Sequence, residues 1–307
     1  MEPLVNKRHT GSALPLIKVV IVTTCNNRNS NQRYRLWNVP KVGTRNNRNT
    51  IERRCEHLKI VAIANQKGGC GKSASAAALI SGLRRAGLSV LAVDTDPQAN
   101  LSMQMGATLT DATLADVFME TTTAAQAIQQ TAQGAIIPAC GGLADKSMLS
   151  GKWAAYALVK PLQSVANRFD VAIVDTPPNI GALTIAALTA CSGVIIPAVC
   201  DRFSIDAIRQ TTQSIDAVRT RTNPRLKVLG ILPTLYQRRL TVHQLQLSQM
   251  QQTAAELGAK VYTPIRYCAV VQESQFMGTS VFDARRNVAA DDYQLFVNDV
   301  LTDLENI

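Results

Sequence analysis

A short apolar run, a glycine-rich turn and a helix-forming stretch, in that order, constrain the fold of this chain more than any other feature. Residues 60–64 are uninterruptedly apolar, which is typical of a fully buried parallel strand. Residues 74–85 are rich in helix formers and follow the turn directly. Three glycines let the turn direct successive backbone N–H groups into one concavity: Gly68, Gly69 and Gly71. Because the N-terminus of the following helix carries a partial positive charge, this arrangement predicts a site for phosphate.

The polar side chains of the turn suit a nucleoside triphosphate with a divalent cation. Lys72 supplies a point charge for the β- and γ-phosphates, and the Ser73 hydroxyl is a potential magnesium ligand. The usual pattern asks for a glycine six residues before the lysine, and Gln66 stands there instead. A second lysine, Lys67, opens the loop. The turn is therefore interpreted as a P-loop of unusual form, and a glycine-rich turn without a ligand is the alternative.

Carboxylates follow two further predicted strands. Residues 88–93 form the second strand, which leads into Asp94-Thr95-Asp96-Pro97-Gln98. Residues 169–175 form another, which ends at Asp175 and is followed by Thr-Pro-Pro. Because ligands bind at the carboxyl edge of parallel sheets, we expect these acids to face the P-loop. A buried strand that ends in such an acid is a Walker B motif, which holds the water shell of Mg²⁺. A simple turn rich in Asp and Pro is the alternative for residues 94–98.

Short apolar runs alternate with helical stretches from Leu58 onward. This alternation predicts an α/β fold with a doubly wound, mostly parallel sheet flanked by helices. Residues 203–220 are predicted to form an amphipathic helix, and residues 101–168 give helical pieces with one strand. The further predicted strands are residues 135–138, 193–199 and 226–233.

These motifs together resemble the deviant Walker A ATPases of the ParA/MinD family, and within it the small Soj-like ParA partition ATPases. The resemblance covers roughly residues 58–305 and includes Asp175-Thr176-Pro177-Pro178, which is similar to the family's Asp-x-Pro-Pro. It implies ATP and Mg²⁺ as cofactors and slow, magnesium-dependent hydrolysis of ATP to ADP and phosphate. The nucleotide-binding residues that it implies are Lys67, Gly68, Gly69, Cys70, Gly71, Lys72, Ser73 and Ala74.

The resemblance also implies individual roles. Lys67 would reach across an ATP-dependent homodimer to the partner subunit's phosphates, whereas Lys72 would contact those of its own subunit. Asp96 would orient the attacking water, which completes a catalytic set of Lys67, Lys72 and Asp96. The metal residues that it implies are Ser73, Asp94 and Asp175.

The partners implied are nonspecific DNA and a ParB-like centromere-binding protein that switches the ATPase off, in a cytoplasmic, nucleoid-associated protein without a membrane contact. Residues 235–239 resemble the family's Met-Tyr-Asp-x-Arg stretch, with Gln237 in place of the Asp. Many members read Pro-Arg-Asn near the adenine where this chain reads Arg266-Tyr267-Cys268, so the base contacts depart from the family pattern. A local DNA-binding patch is predicted from five arginines: Arg219, Arg221, Arg225, Arg238 and Arg239.

The net charge of +10 belongs mainly to the N-terminal part of the chain. Residues 1–57 carry 11 Lys/Arg and 3 Asp/Glu, whereas residues 58–307 carry 21 and 19. Bulk charge therefore gives no argument that residues 58–307, the predicted ATPase domain, bind DNA. The Asn- and Arg-rich tail is open to three interpretations: a basic arm that adds DNA affinity, a disordered tail, or an over-extended reading frame. We favour the last two.

Three other functions are less consistent with the sequence. A MinD-type membrane-cycling regulator is disfavoured because residues 291–307 hold five acidic residues and no basic one, so anionic lipid would repel them. A P-loop module without hydrolysis would be expected to lack a catalytic carboxylate, but Asp94, Asp96 and Asp175 are all present. An iron-protein-type reductase needs paired cysteines, and Cys140 and Cys191 show no suitable flanking pattern.

The seven cysteines contain no CxxC, which fits a reducing cytosol. The uncharged residues 176–200 are broken by proline and glycine, against a membrane span.

Overall fold

Eight strands form one sheet, in which six of the seven neighbouring pairs run parallel. The computed structural model describes residues 58–145, 149, 151, 154–285 and 287–307, and the predicted tail, residues 1–57, lies outside them. The strand order is β3-β4-β2-β5-β1-β6-β7-β8. The strands are β1 (Lys59–Ile63), β2 (Val90–Asp94), β3 (Gln129–Thr131), β4 (Gly134–Ile137), β5 (Val171–Asp175), β6 (Gly193–Val199), β7 (Lys227–Thr234) and β8 (Lys260–Val261).

Helices cover both faces of the sheet, as the doubly wound prediction requires. The helices are α1 (Lys72–Arg85), α2 (Asn100–Gln104), α3 (Leu114–Phe118), α4 (Ala124–Ala127), α5 (Val159–Ser164), α6 (Ala182–Ala190), α7 (Ser204–Arg221), α8 (Thr241–Glu256), α9 (Ala269–Met277) and α10 (Val288–Leu304). Short 3₁₀ turns span Gly141–Ala144, Ala154–Tyr156 and Ala166–Arg168. One hydrophobic cluster joins the sheet to α1, α2 and α10, and the other joins it to α3 and α5–α8. The prediction of a mostly parallel, doubly wound α/β fold is confirmed.

Three elements differ from the sequence-based expectation. The edge strand β3 pairs antiparallel with β4, although only one strand was predicted between residues 101 and 168. Helix α8 was not predicted. Strand β8 lies outside the predicted strands, and after it a single bridge joins Tyr236 to Arg266.

The acidic C-terminal helix is part of the core. Helix α10 buries Tyr293, Phe296 and Val297 among other residues, and it packs against α1. Two lysines at the amino ends of strands donate hydrogen bonds at its C-terminus, Lys59 to the carbonyl of Leu304, its last residue, and Lys227 to the carbonyl of Asn306 just beyond it. These positive charges suit the negative end of a helix dipole.

No helix in the described part of the chain combines the length and the apolar composition that crossing a membrane would need.

Candidate nucleotide site

The phosphate loop is folded by its own glycines and closed by a lysine. Gly69 and Gly71 adopt left-handed φ angles of 69° and 79°, which a residue with a side chain takes only at a cost in energy. Gly71 is the residue before α1, so the loop delivers the chain directly into the helix N-terminus. The Lys72 Nζ donates to the Lys67 carbonyl at 3.0 Å, and Thr234 at the end of β7 donates to the Cys70 carbonyl at 3.0 Å. The loop is therefore fixed by contacts across its own span and from β7.

Cys70 is a packed residue of this loop. It is fully buried, and its Sγ lies 3.2 Å from the Lys67 carbonyl. Burial raises the pKa of the Cys70 thiol, although Lys72 lowers it in part. The thiol form is therefore favoured, and Cys70 can contribute its backbone N–H to a phosphate but not a thiolate.

Lys67, the second lysine of the loop, forms an ion pair with Asp201 in the same chain. The Lys67 side chain is 23% exposed, and Asp201 follows the carboxyl end of β6. The other Asp201 oxygen accepts from the Phe203 N–H at 3.1 Å and the Ser204 hydroxyl at 2.8 Å, at the start of α7. Lys67 thus lies at the rim of the loop, whereas Lys72 is buried within it.

Asp175 is a fully buried carboxylate at the end of β5. Register pairs it with Ile63 on β1 and with Asp94 on β2, so three strands bring their carboxyl ends together beside the loop. Neither Asp175 oxygen has a hydrogen-bond partner among the described residues. Burial raises the pKa of Asp175 well above its usual value, and Asp94 raises it further, whereas Ser73 and Lys72 lower it. A cation at this position would favour the ionised form of Asp175.

Asp94 and Asp96 have different surroundings. Asp94 accepts a hydrogen bond from the Asp96 N–H at 3.0 Å and two from Ser102, at 2.8 Å from N–H and 2.7 Å from the hydroxyl. Burial raises the pKa of Asp94 to about 6 in spite of these bonds. Asp96 accepts only the Gln98 N–H at 3.0 Å among the hydrogen bonds that the described residues form to its carboxylate, and it faces the open groove next to the loop. Asp94 therefore organises the turn that carries Asp96.

Two grooves meet at the phosphate loop. The larger, which we call the main groove, has a volume of about 760 Å³, and the smaller, the side groove, has about 440 Å³. Both are bordered by Gly68, Gly69, Leu235 and Tyr267. The main groove runs past Lys72, Ser73 and Asp96, whereas the side groove holds the Lys67–Asp201 pair.

The residues present fit a nucleotide with a magnesium ion. Among the described residues, no group of three or more His, Cys, Asp or Glu could hold a metal by itself. Mg²⁺ in phosphate sites is typically held by one or two protein groups together with phosphate oxygens and water. The unpartnered Asp175 carboxylate beside the Ser73 hydroxyl meets that requirement, next to a loop that offers backbone N–H groups.

The predicted site residues from Lys67 to Ala74 therefore lie together with Asp94, Asp96 and Asp175. The five arginines of the predicted DNA patch do not, and that prediction is wrong as a single patch. Arg219, Arg221 and Arg225 precede β7, and Arg238 and Arg239 follow it. Strand β7, of 8 residues, lies between the two groups. They are therefore about 25 Å apart, one group at the amino ends of the strands and the other at the carboxyl ends. Arg219 is also bound to the Leu226 carbonyl and to Asp216.

Asp201 was missed in the sequence. Its signal is the one that identified Asp94 and Asp175, an acid directly after a buried strand, since Asp201 follows β6. Asn65 was also missed. Its amide donates to the Pro197 carbonyl at 2.6 Å, and its oxygen accepts the Lys67 N–H at 3.0 Å, which ties the start of the loop to β6.

Comparisons with known proteins agree with this geometry. A family model described as an AAA domain matches residues 58–228. The chromosome partitioning protein ParA of Caulobacter vibrioides is 35% identical over 216 residues, which cover 68% of this chain and 80% of that protein. The chromosome-partitioning ATPase Soj of Thermus thermophilus is 29% identical over 260 residues, 80% of this chain and 96% of Soj.

A solved structure adds the nucleotide-bound form of a similar fold. Cobyrinic acid a,c-diamide synthase from Mycobacterium smegmatis, with bound ATP analog and magnesium, is similar with a TM-score of 0.71 and 31% identity. The match covers 80% of this chain and 94% of the synthase. With a P-loop opened by a second lysine and partition proteins among its relatives, this chain belongs to the ParA/Soj family of P-loop ATPases.

Proposed function

We propose that this protein is a partition ATPase that binds ATP and Mg²⁺, closes into an ATP-dependent homodimer and then binds DNA without sequence preference. The observation that carries the proposal is the pair of lysines on one phosphate loop. Lys72 is buried inside the loop, whereas Lys67 lies at its rim, where a second subunit could meet it. In this cycle the replicon that is moved is a plasmid, a chromosome or a mobile element.

Each residue of the nucleotide site has its own role in this proposal. The loop N–H groups of residues 68–74 and the Lys72 ammonium hold the phosphates of their own subunit. Ser73 and Asp175 hold Mg²⁺, which when bound offsets the negative charge of the β- and γ-phosphates. Asp94 keeps the turn in place through its three hydrogen bonds. Asp96, which faces the main groove, orients the attacking water.

Lys67 acts on the other subunit. When two subunits close face to face over the nucleotides, Lys67 leaves Asp201 and brings its ammonium to the partner's phosphates. Positive charge is then placed where negative charge grows in the transition state. Hydrolysis would be slow for each subunit alone, because its own Lys67 is paired in cis.

DNA binding is assigned to the carboxyl edge of the sheet. Arg238 and Arg239 lie on the same edge as the phosphate loop and are exposed, so dimer closure brings two copies of them together. Arg221 and Arg225 lie on the opposite edge, away from the proposed dimer face. A ParB-like centromere-binding protein would switch the ATPase off, and the protein would be cytoplasmic and associated with the nucleoid.

A MinD-like positioning role, the runner-up, has less support. In such a protein the C-terminal helix must be free to bind lipid. Here α10 carries acids, packs against α1 and buries most of its apolar residues, and Asp292 is paired with Arg266. We therefore propose no membrane contact for this helix.

The DNA step is tested by a salt titration. Binding to two unrelated duplexes is measured with a non-hydrolysable ATP analogue and without nucleotide. Each phosphate contact contributes about −0.9 to the slope of log affinity against log salt. Arg238→Ala removes two contacts per dimer, so it should lower the slope's magnitude by roughly 2 on both duplexes.

Arg221→Ala is the matched control, since it removes an equal charge from the opposite edge of the sheet. It should leave the ATP-dependent part of binding unchanged. Equal binding with and without nucleotide, or no binding to either duplex, would refute the proposed DNA step.

A further inference from the structure

The main groove has two chemically different ends. Ser73 and Asp96 border it on the side where β5 and β2 end with Asp175 and Asp94, which suits the phosphates and the ion. On the other side of β1, Leu235 and residues 265–268 follow β7 and border the same groove. Because the triphosphate must lie on the loop with its charged end at the acids, the base of a bound nucleotide points along residues 265–268. This step rests on the proposed function, that the groove takes ATP.

The backbone of residues 265–267 is held rigidly. Tyr236 donates its N–H to the Ile265 carbonyl at 2.9 Å, and Tyr267 donates its N–H to the Tyr236 carbonyl at 2.9 Å. These two bonds attach the segment to the chain that leaves β7. The position of the Tyr267 Cα is therefore fixed from the side of the sheet.

Arg266 secures the same segment from the side of α10. Its Nε and Nη2 donate to the two oxygens of Asp292 at 2.8 and 2.7 Å, and its backbone N–H donates to Asp292 at 3.0 Å. Asp292 is buried, so release of Arg266 would leave an unpaired buried carboxylate, which costs more than breaking a surface ion pair. The Arg266 guanidinium is thus committed to the protein and is a poor candidate for contact with a base.

Tyr267 is the large exposed side chain of this segment. It is 51% exposed, and it borders both grooves next to Gly68 and Gly69. The ring pairs among the described residues join Tyr236 to His243 and Phe296 to two tyrosines, and none of them includes Tyr267. A large ring on a fixed backbone that lacks an aromatic partner, at the side of a nucleotide groove, has the properties of a stacking platform.

We propose that Tyr267 stacks on the base of the bound nucleoside triphosphate and sets the preference for a purine. A purine offers the larger π-surface, so the ring favours ATP over a pyrimidine nucleotide. Arg266 is a positioning residue in this account, because it holds the segment that carries Tyr267 and touches only the protein.

The test is equilibrium binding to the full-length protein, measured by calorimetry with Mg²⁺ present. The probes are ATP, CTP and inorganic tripolyphosphate, which has the phosphates but no base. Base–aromatic stacking lost on alanine substitution should weaken ATP binding by roughly 5- to 100-fold for Tyr267→Ala. Tripolyphosphate binding should change less than about twofold, and Tyr267→Phe, which keeps the ring, should restore ATP binding to within about threefold.

The rival platform is Phe276, which also borders the main groove and is 89% exposed. ATP binding should weaken less in Phe276→Ala than in Tyr267→Ala, and the ATP-to-CTP preference should narrow only in Tyr267→Ala. Unchanged ATP binding in Tyr267→Ala, or an equal loss of tripolyphosphate binding, overturns the stacking role while the proposed function stands. Wild-type protein that binds neither ATP nor tripolyphosphate overturns both.

Discussion

Lys67 is at present held by its own subunit. The Asp201 carboxylate pairs with Lys67 through one oxygen, and its other oxygen accepts hydrogen bonds from Phe203 and Ser204, where α7 begins. Partial burial opposes ionisation of Asp201, but the hydrogen bonds from Lys67 and Ser204 are stronger influences together and lower its pKa. Any closure that uses Lys67 in trans must first break this pair.

Asp201→Asn separates the two functions of that carboxylate. The asparagine keeps an oxygen for the Phe203 N–H but removes the charge that holds Lys67. Each dimer releases two Lys67 side chains, and a half-exposed pair is worth about 1 kcal/mol or less, so the ATP-dependent dimer should form at a protein concentration roughly 4- to 25-fold lower. Dimerisation measured by light scattering checks this. Asp206→Asn, an exposed acid on the same helix, is the control and should behave as wild type. A weaker dimer in Asp201→Asn would mean that Asp201 acts within the dimer instead.

At the scale of elements, α1 and α10 approach each other closely at Gly82. A Cβ added to Gly82 on α1 would overlap Cγ2 of Val297 and lie 3.1 Å from its Cγ1. Gly82 therefore permits an approach that any other residue would prevent. Through this contact, α1, which follows the phosphate loop, packs against α10, which carries the Asp292 that binds Arg266.

Gly82→Ala should therefore destabilise the protein, although alanine is the better helix former. Overpacking typically costs 1–3 kcal/mol, and the gain in helix propensity is about 1 kcal/mol, so a net loss of about 1 kcal/mol is expected. Urea denaturation monitored by circular dichroism measures it. In a Val297→Ala background the clash is absent, and the same substitution should be neutral or stabilising by up to about 1 kcal/mol. An equal loss in both backgrounds would show that the α1–α10 contact is not the cause.

How much the sequence reveals varies between elements for physical reasons. The loop and its acids were predictable because a buried parallel strand is an apolar run, and whatever follows it lies at one edge. Helix α8 was not, since it buries only Met250, Thr253 and Ala254 and has no apolar stripe. Strand β3, Gln-Gln-Thr, has no apolar residue at all.

The long-range side-chain pairs of the site could not be predicted from the sequence either. The Lys67–Asp201 pair joins residues 134 positions apart, and its formation depends on how the chain leaves β6. The Arg266–Asp292 fork likewise depends on where α10 packs. Chemistry-bearing residues could be found one by one, but their partners required the fold.

At the scale of the whole molecule, the basic groups considered for DNA binding lie at two opposite ends of the strands, the carboxyl edge and the amino edge of the sheet. The carboxyl edge carries the phosphate loop, Lys67, Arg238 and Arg239, whereas Arg221 and Arg225 lie at the amino edge. By sequence, residues 58–307 are close to neutral in sum, so attraction to DNA has to come from local groups on one edge. A dimer that closes through the carboxyl edge would double those groups without any change in either subunit.

The central claim is that one loop carries a lysine for its own subunit and a lysine for the partner. Sedimentation velocity of wild type, Lys67→Ala and Lys72→Ala, each with and without ATP and Mg²⁺, tests it most directly, with ATP binding measured in parallel. Wild type should shift from monomer to dimer on ATP. Lys72→Ala should lose ATP binding, and Lys67→Ala should bind ATP yet stay monomeric, because its own phosphates are held by residues 68–74. A Lys67→Ala protein that dimerises on ATP as wild type does would contradict the account.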